Sequence, residues 1–236
     1  MKALILCAGY GKRMMPITMT TPKPLLPVNG RPLVLNIIDN IAGAGIEQIT
    51  IISNQSHYED YVRLLDGYPN KGVSVISNGV TRPEDALGAI GDMALAISKI
   101  GMADDLLIIA GDSHLSFSLC GFVESHEKNG LDSVIVQKVD DIEYLKRLGV
   151  AELDCSGRII GFEEKPEAPK SNMAAYAAYI FNKDTLPLID KYLEHKNQKD
   201  ALGKIIGWIL GYKTVMGFVP DGSFIDIGTP ETYRKL

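Results

Sequence analysis

The chain is poor in cysteine: Cys7, Cys120 and Cys155 are all it has among 236 residues, widely spaced and with no Cys-x-x-Cys pair. That excludes a disulfide framework and a thiolate zinc site, and it fits a reducing cytoplasm. Cys7 reads as a small buried hydrophobe within an apolar run. Histidine is also sparse. His57, His114, His126 and His195 include no i,i+4 pair, so a histidine metal motif is missing as well. Long hydrophobic runs are lacking: the apolar stretch after Lys2 ends by Cys7, short of a secretory signal, and Leu106–Ala110 is strand-length, far below a membrane span. Positive charge is not in excess. The formal net charge is −5, which speaks against a nucleic-acid surface and requires any anionic ligand to be held by local cations.

Those local cations stand at the start of the chain. Lys2-Ala-Leu-Ile-Leu-Cys7 is a short apolar run that passes into Ala-Gly-Tyr-Gly-Lys-Arg13 and then a proline-punctuated loop, Pro16 to Pro27, carrying Lys23. A buried strand that leads into a glycine-rich loop with fixed cations presents backbone N–H groups and positive charge to a polyphosphate. Two familiar glycine loops do not fit. The dinucleotide fingerprint, and with it a nicotinamide-dependent dehydrogenase, needs a third glycine and a helix, whereas Gly9-x-Gly11 is followed by Met14, Pro16, Pro22, Pro24 and Pro27. The ATPase-type loop needs a hydroxyl after Gly11-Lys12, and Arg13 occupies that position.

Strand-like runs recur at residues 3–7, 49–52, 73–76, 106–110 and 134–136, separated by helical segments at 33–44, 58–65, 86–97 and 119–127. This alternation predicts a layered α/β fold with helices on both faces of a sheet. Pro32 suits the first position of the helix that begins near Leu33. After about residue 140 the pattern turns to strands, at 150–153, 159–163 and 174–181, with Asp154-Cys-Ser-Gly157 as the clearest turn. No linker divides the halves. The expectation is one domain over 1–236, with a nucleotide-binding sub-region to about 140 and an acceptor-binding sub-region beyond, and with no room for an appended hexapeptide-repeat domain after Asp226.

Several ordered motifs carry a resemblance. Leu6-Cys-Ala-Gly-Tyr-Gly-Lys-Arg13, Thr21-Pro-Lys-Pro-Leu-Leu-Pro-Val28, Gly111-Asp112, Phe162-Glu-Glu-Lys-Pro166, Ser171-Asn172 and Phe224-Ile-Asp-Ile-Gly-Thr-Pro230 together resemble the signature of sugar-1-phosphate nucleotidyltransferases. The resemblance implies a Rossmann-like three-layer αβα fold with a mixed, mostly parallel central sheet. It also implies a reaction in which a phosphate oxygen of a sugar 1-phosphate attacks the α-phosphorus of a nucleoside triphosphate and expels pyrophosphate. Such a displacement needs positioning and charge neutralisation more than covalent help. On this resemblance Arg13 and Lys23 hold the triphosphate, joined by Leu6, Ala8, Gly9, Gly11, Lys12, Gly88 and Gly111, although Lys12 could equally face solvent. Asp112 and Asp226 match the pair that binds Mg2+, and Asp112 follows a strand, where open α/β sheets bind ligands. Glu164 and Lys165 match the residues that grip acceptor hydroxyls and phosphate, with Gly149 and Asn172 in the same wall; Glu163, one residue out of phase, faces away. The partners implied are a nucleoside triphosphate and a small phosphorylated acceptor, without nucleic acid or membrane; a homo-oligomer is compatible with this.

The pattern departs from the family at two places. The glutamine of many base-binding loops is not evident in Asn78-Gly-Val-Thr-Arg-Pro-Glu-Asp-Ala-Leu-Gly88. Glu84 and Asp85 there either accept from the amine of cytosine or guanine or cap the helix expected from Ala86. Ala177 stands where hexose-binding relatives usually carry glycine, which reshapes the acceptor wall. A CTP-dependent enzyme acting on a phosphocholine-like phosphate or phosphonate is therefore a rival, as is a catalytically silent nucleotide sensor.

Overall fold

The computed structural model describes residues 1–69, 72–195 and 199–235. In chain order its strands are β1 (Lys2–Cys7), β2 (Pro27–Val28), β3 (Arg31–Pro32), β4 (Ile49–Ser53), β5 (Val73–Ser77), β6 (Leu106–Ala110), β7 (Ser113–Leu115), β8 (Asp132–Lys138), β9 (Gly149–Leu153), β10 (Ile159–Glu164), β11 (Met173–Phe181), β12 (Val215–Phe218) and β13 (Phe224–Asp226). The helices are α1 (Leu33–Gly43), α2 (Tyr58–Leu65), α3 (Ala89–Ile100), α4 (Cys120–Asn129), α5 (Ile142–Leu145), α6 (Pro187–His195), α7 (Gly203–Ile209) and α8 (Pro230–Tyr233).

The unbroken apolar run of β1 has a structural cause: Ala3, Ile5 and Cys7 enter one core cluster while Leu4 enters the other, so the strand is covered on both faces. It pairs in parallel with β4 and with β6, and β4 pairs in parallel with β5. Helices α1, α2 and α4 pack on one face, and α3, α6 and α7 on the other. The result is the three-layer α/β arrangement that the alternating pattern implies. Beyond β6 the sheet becomes mixed, running β10-β9-β11-β6-β1-β4-β5 with β8 between β11 and β12.

Chain order sets the crevice. From β1 the chain moves outward through β4 to β5, then returns via α3 to β6 on the other side of β1. The β1/β6 boundary is thus a topological switch point, where connections leave in opposite directions and open a cleft at the strands' carboxyl ends. A second opening lies along β11. One edge of β11 pairs with β8, while the other pairs with β9 over Met173–Ala175 and with β6 over Ala178–Phe181. Between those ladders Tyr176 and Ala177 have no strand partner on that edge among the described residues.

Helix boundaries mostly follow the sequence pattern, and α2 occupies the expected residues. Two differ. Pro32 is the N-cap of α1 and not its first residue. Helix α3 begins at Ala89 instead of Ala86, because Pro83–Asp85 form a separate 3-10 turn and Gly88, with φ +77°, is the N-cap. Among the described residues no helix is long and apolar enough to cross a membrane.

Candidate active site

The switch point is lined first by the loop after β1. Gly11 has φ +60°, and a Cβ there would stand 3.0 Å from Thr18 Cγ2, while the Thr18 hydroxyl donates to the Gly11 carbonyl at 2.8 Å. Only glycine suits both constraints. The 3-10 turn Lys12–Met14 follows, with Met14 buried as its anchor and with Lys12 and Arg13 left exposed at the mouth. A second such turn, Lys23–Leu25, carries Lys23 inward. Its side chain is only 10% exposed and its Nζ lies 3.1 Å from Asp112 Oδ2.

Asp112 follows β6, and the short ladder of β7 with β13 brings Asp226 beside it, with Asp226 opposite Ser113 and the Ile227 N–H donating to the Asp112 carbonyl at 3.0 Å. Burial, and then the negative charge of Asp112, push the Asp226 carboxyl up to about 6, against the opposing pull of Lys23 and Arg13. Two carboxylates crowded beside the glycine loop are a hard oxygen donor set. Among the described residues no group of three or more potential ligands occurs, so a cation here would complete its shell with water and phosphate oxygens, the habit of Mg2+.

The opposite wall comes from β9 and β10. Glu164 is half-buried at the end of β10; burial raises its pKa, and the charges of Lys165 and Lys204 offset this in part. Gly149 and Gly203 make room for it: a Cβ at Gly149 would meet Phe162 Cζ at 2.6 Å, and one at Gly203 would meet Glu164 Oε2 at 1.9 Å. Lys165 has φ +52°, a left-handed backbone rare outside glycine, held by its N–H donating to the Leu148 carbonyl at 2.9 Å. Its ammonium is 3.9 Å from Glu164 Oε1 and largely exposed toward the cleft. Glu163 is exposed on the other side of the strand, as alternation requires.

These walls enclose about 540 Å3. Leu6, Ala8, Gly9, Gly11, Lys12, Arg13, Lys23, Gly88, Asp112, Gly149, Glu164, Lys165 and Asp226 all line that space. Four expected residues do not. Gly111 serves packing: its N–H donates to the Leu6 carbonyl at 2.9 Å, and a Cβ would lie 2.4 Å from Cys7 Sγ. Asn172 is exposed outside the cleft and accepts from the Val139 N–H through its backbone. Glu84 and Asp85 are 65% and 51% exposed, each paired with Arg82. Neither caps α3, whose N-cap is Gly88 without a side-chain hydrogen bond, so the capping expectation fails.

Sequence reasoning missed Tyr10, Asp92, Arg147, Tyr176 and Asp200, which also face the cleft. Asp92 carried a usable signal, being the one acidic residue of α3 and set between buried Ile90 and Met93. Asp200 carried none, because it reaches the site through a contact that local pattern does not encode: the Ile90 N–H donates to the Lys199 carbonyl at 2.9 Å.

Comparison with known proteins agrees with this geometry. A solved structure from Bacillus anthracis, described as a candidate glucose-1-phosphate thymidylyltransferase in complex with a sucrose, superposes with a TM-score of 0.84 at 28% identity, over 99% of this chain and 92% of that one. A candidate mannose-1-phosphate guanyltransferase of Sulfolobus acidocaldarius is 29% identical over 236 residues, 99% of this chain and 61% of its own length. The bifunctional protein GlmU of Methanocaldococcus jannaschii is 30% identical over 230 residues, 98% of this chain and 52% of its own length. The chain thus spans between half and two thirds of these curated relatives. Residues 2–236 match the family model described as nucleotidyl transferase, and the chain belongs to that family.

Proposed function

We propose that this chain is a nucleotidyltransferase that joins a nucleoside triphosphate to a sugar 1-phosphate, giving a nucleoside-diphosphate sugar and pyrophosphate. One observation carries the reading: Lys23, Asp112 and Asp226 converge at the glycine loop while Glu164 and Lys165 face them across one cleft. A polyphosphate and a phosphorylated acceptor thereby meet between two sets of cations. The acceptor phosphate oxygen attacks the α-phosphorus, and the bond to the bridging oxygen of the leaving pyrophosphate breaks.

Arg13 and Lys23 neutralise charge on the departing pyrophosphate, and the loop after β1 supplies N–H groups to the phosphates. Lys165 grips the acceptor phosphate and Glu164 accepts from acceptor hydroxyls, which fixes the attacking oxygen in line. Asp112 and Asp226 would hold Mg2+, which when bound offsets phosphate charge at the reacting centre. On this reading residues 1–140 chiefly bind nucleotide and 141–236 chiefly bind acceptor, although Asp226 crosses to the nucleotide side. The names of the relatives, which include mannose 1-phosphate and glucose 1-phosphate enzymes, support a hexose 1-phosphate as acceptor. Three free cysteines support work in a reducing cytoplasm.

The test is pyrophosphate release measured with each common triphosphate against a panel of sugar 1-phosphates and phosphocholine. Turnover with a sugar 1-phosphate is the expected result. Release with phosphocholine alone, or with no acceptor in the panel, would overturn the proposal.

A further inference from the structure

The cleft follows the carboxyl edge of the sheet, and its parts have an order. The acceptor wall lies at β9 and β10, the phosphate-binding loops at β6 and β1, and the far end at the segment that follows β5. A nucleotide whose phosphates lie at β1 and β6, with its acceptor toward β9, directs its base to that far end. There stands Asp92, which has no role in the mechanism above.

Asp92 is only 7% exposed, yet it lines the cleft beside Tyr10 and Gly88. Its orientation is fixed. Asn78, the residue directly after β5, donates from Nδ2 to Asp92 Oδ1 at 2.7 Å. The Asn78 amide cannot turn over without loss, because its Oδ1 accepts from the Val80 N–H at 2.9 Å. Tyr10 closes the neighbouring side by donating to the Val80 carbonyl at 3.1 Å. Asp92 Oδ2 is left with no partner among the described residues, and no cation pairs with the carboxylate. The nearest charge of note is another anion: Asp200 lies across Gly88, its Oδ1 2.6 Å from where a Gly88 Cβ would be. Burial raises the Asp92 pKa, the Asn78 hydrogen bond opposes this by favouring the carboxylate, and the charge of Asp200 adds to the rise. Asp92 Oδ2 is not among the fully buried polar atoms that lack a partner, so it opens to the cleft as an acceptor free to take a hydrogen bond from a ligand.

Resting on the nucleotidyltransferase reading, we propose that Asp92, held by Asn78, is the base-specificity residue and accepts from the exocyclic amine of guanine, cytosine or adenine. Uracil and thymine are rejected at this position. Their one ring N–H is flanked by two carbonyl oxygens, which would face the carboxylates of Asp92 and Asp200.

Replacement by asparagine separates this role from a structural one. In Asp92→Asn the amide oxygen can still accept from Asn78, while an NH2 group replaces the acceptor offered to the base. We would measure the Kd of GTP, CTP, ATP, UTP and dTTP by calorimetry without acceptor, and kcat/KM for each with the best acceptor. The wild type should favour one or more amine-bearing triphosphates by about tenfold or more over UTP and dTTP, and Asp92→Asn should remove or reverse that ranking. Preference of the wild type for UTP or dTTP overturns the proposal whether or not the variant folds. So does an unchanged ranking in a variant with normal melting temperature. Failure of the underlying reading looks different, since no triphosphate would then bind or turn over.

Discussion

Gly203→Ala tests how the acceptor wall is built. Gly203 opens α7, and the missing side chain leaves the space into which Glu164 folds: an added Cβ would lie 1.9 Å from Glu164 Oε2, 3.0 Å from its Cδ and 3.2 Å from Phe162 Cζ. The closest atoms belong to the free end of a flexible side chain, so the carboxylate swings away and the backbone stays. Stability should change little. Alanine is favoured over glycine by about 1 kcal/mol in a helix interior and by less at this first position, which partly offsets the cost of the small shift Phe162 must make. Catalysis should change more. A displaced Glu164 forfeits a charge-assisted hydrogen bond to the acceptor, worth about 1.5–3 kcal/mol, or roughly 10- to 150-fold in kcat/KM for the sugar phosphate. The KM for triphosphate should hold. The assay is pyrophosphate release with acceptor varied at saturating triphosphate, beside thermal unfolding of the same preparation. An unchanged acceptor kcat/KM in a folded variant would refute the placement of Glu164. Gly149→Ala makes the contrast: there the Cβ would meet the Phe162 ring at 2.6 Å within a strand paired on both sides, so the fold itself should lose about 1–3 kcal/mol.

Chelation should abolish turnover, and Asp112→Asn or Asp226→Asn should each slow it by orders of magnitude with the fold intact, since each removes charge from the cation site; near-normal rates at saturating Mg2+ would remove that residue from it. Lys23→Ala should lower kcat and weaken triphosphate use, whereas Lys165→Ala should chiefly raise the acceptor KM, and steady-state kinetics with each substrate varied would expose a reversed assignment. Because burial raises the folded-state pKa of Glu164 above its ordinary value, the native protein keeps a proton there that the unfolded chain releases, so stability falls as pH rises through that interval. Glu164→Gln should therefore melt with the wild type in acid, below the carboxylate range, and above it at neutral pH; equal melting at both would contradict the buried charge.

The sequence made the nucleotide side most legible, for identifiable reasons. Residues 3–7 and 106–110 are buried on both faces, so they read as unbroken apolar runs, and the ligand residues of an α/β sheet come directly after such runs. That logic locates Gly9, Gly11 and Asp112 with little else. It fails at α3, where Gly88 caps the helix by backbone conformation alone, and where Arg82 draws Glu84 and Asp85 into a local turn. Asp92 was legible as the one acidic residue on a largely buried helix, whereas Asp200 escaped for a different reason. Its place depends on the segment at Lys199 lying against the start of α3, a contact between distant parts of the chain that no periodicity announces.

The break in pairing along β11 bears on how the shape of the cleft can change. Ala175, Tyr176 and Ala177 form part of the cleft floor, and at Tyr176 and Ala177 the strand has already released its neighbour on that edge. Adding bulk at Ala177 would raise the floor without breaking a ladder, and removing its methyl would deepen it. The depth of the cleft at this end can therefore change by the bulk of one side chain, independently of the paired strands that hold Asp112 and Glu164 in place.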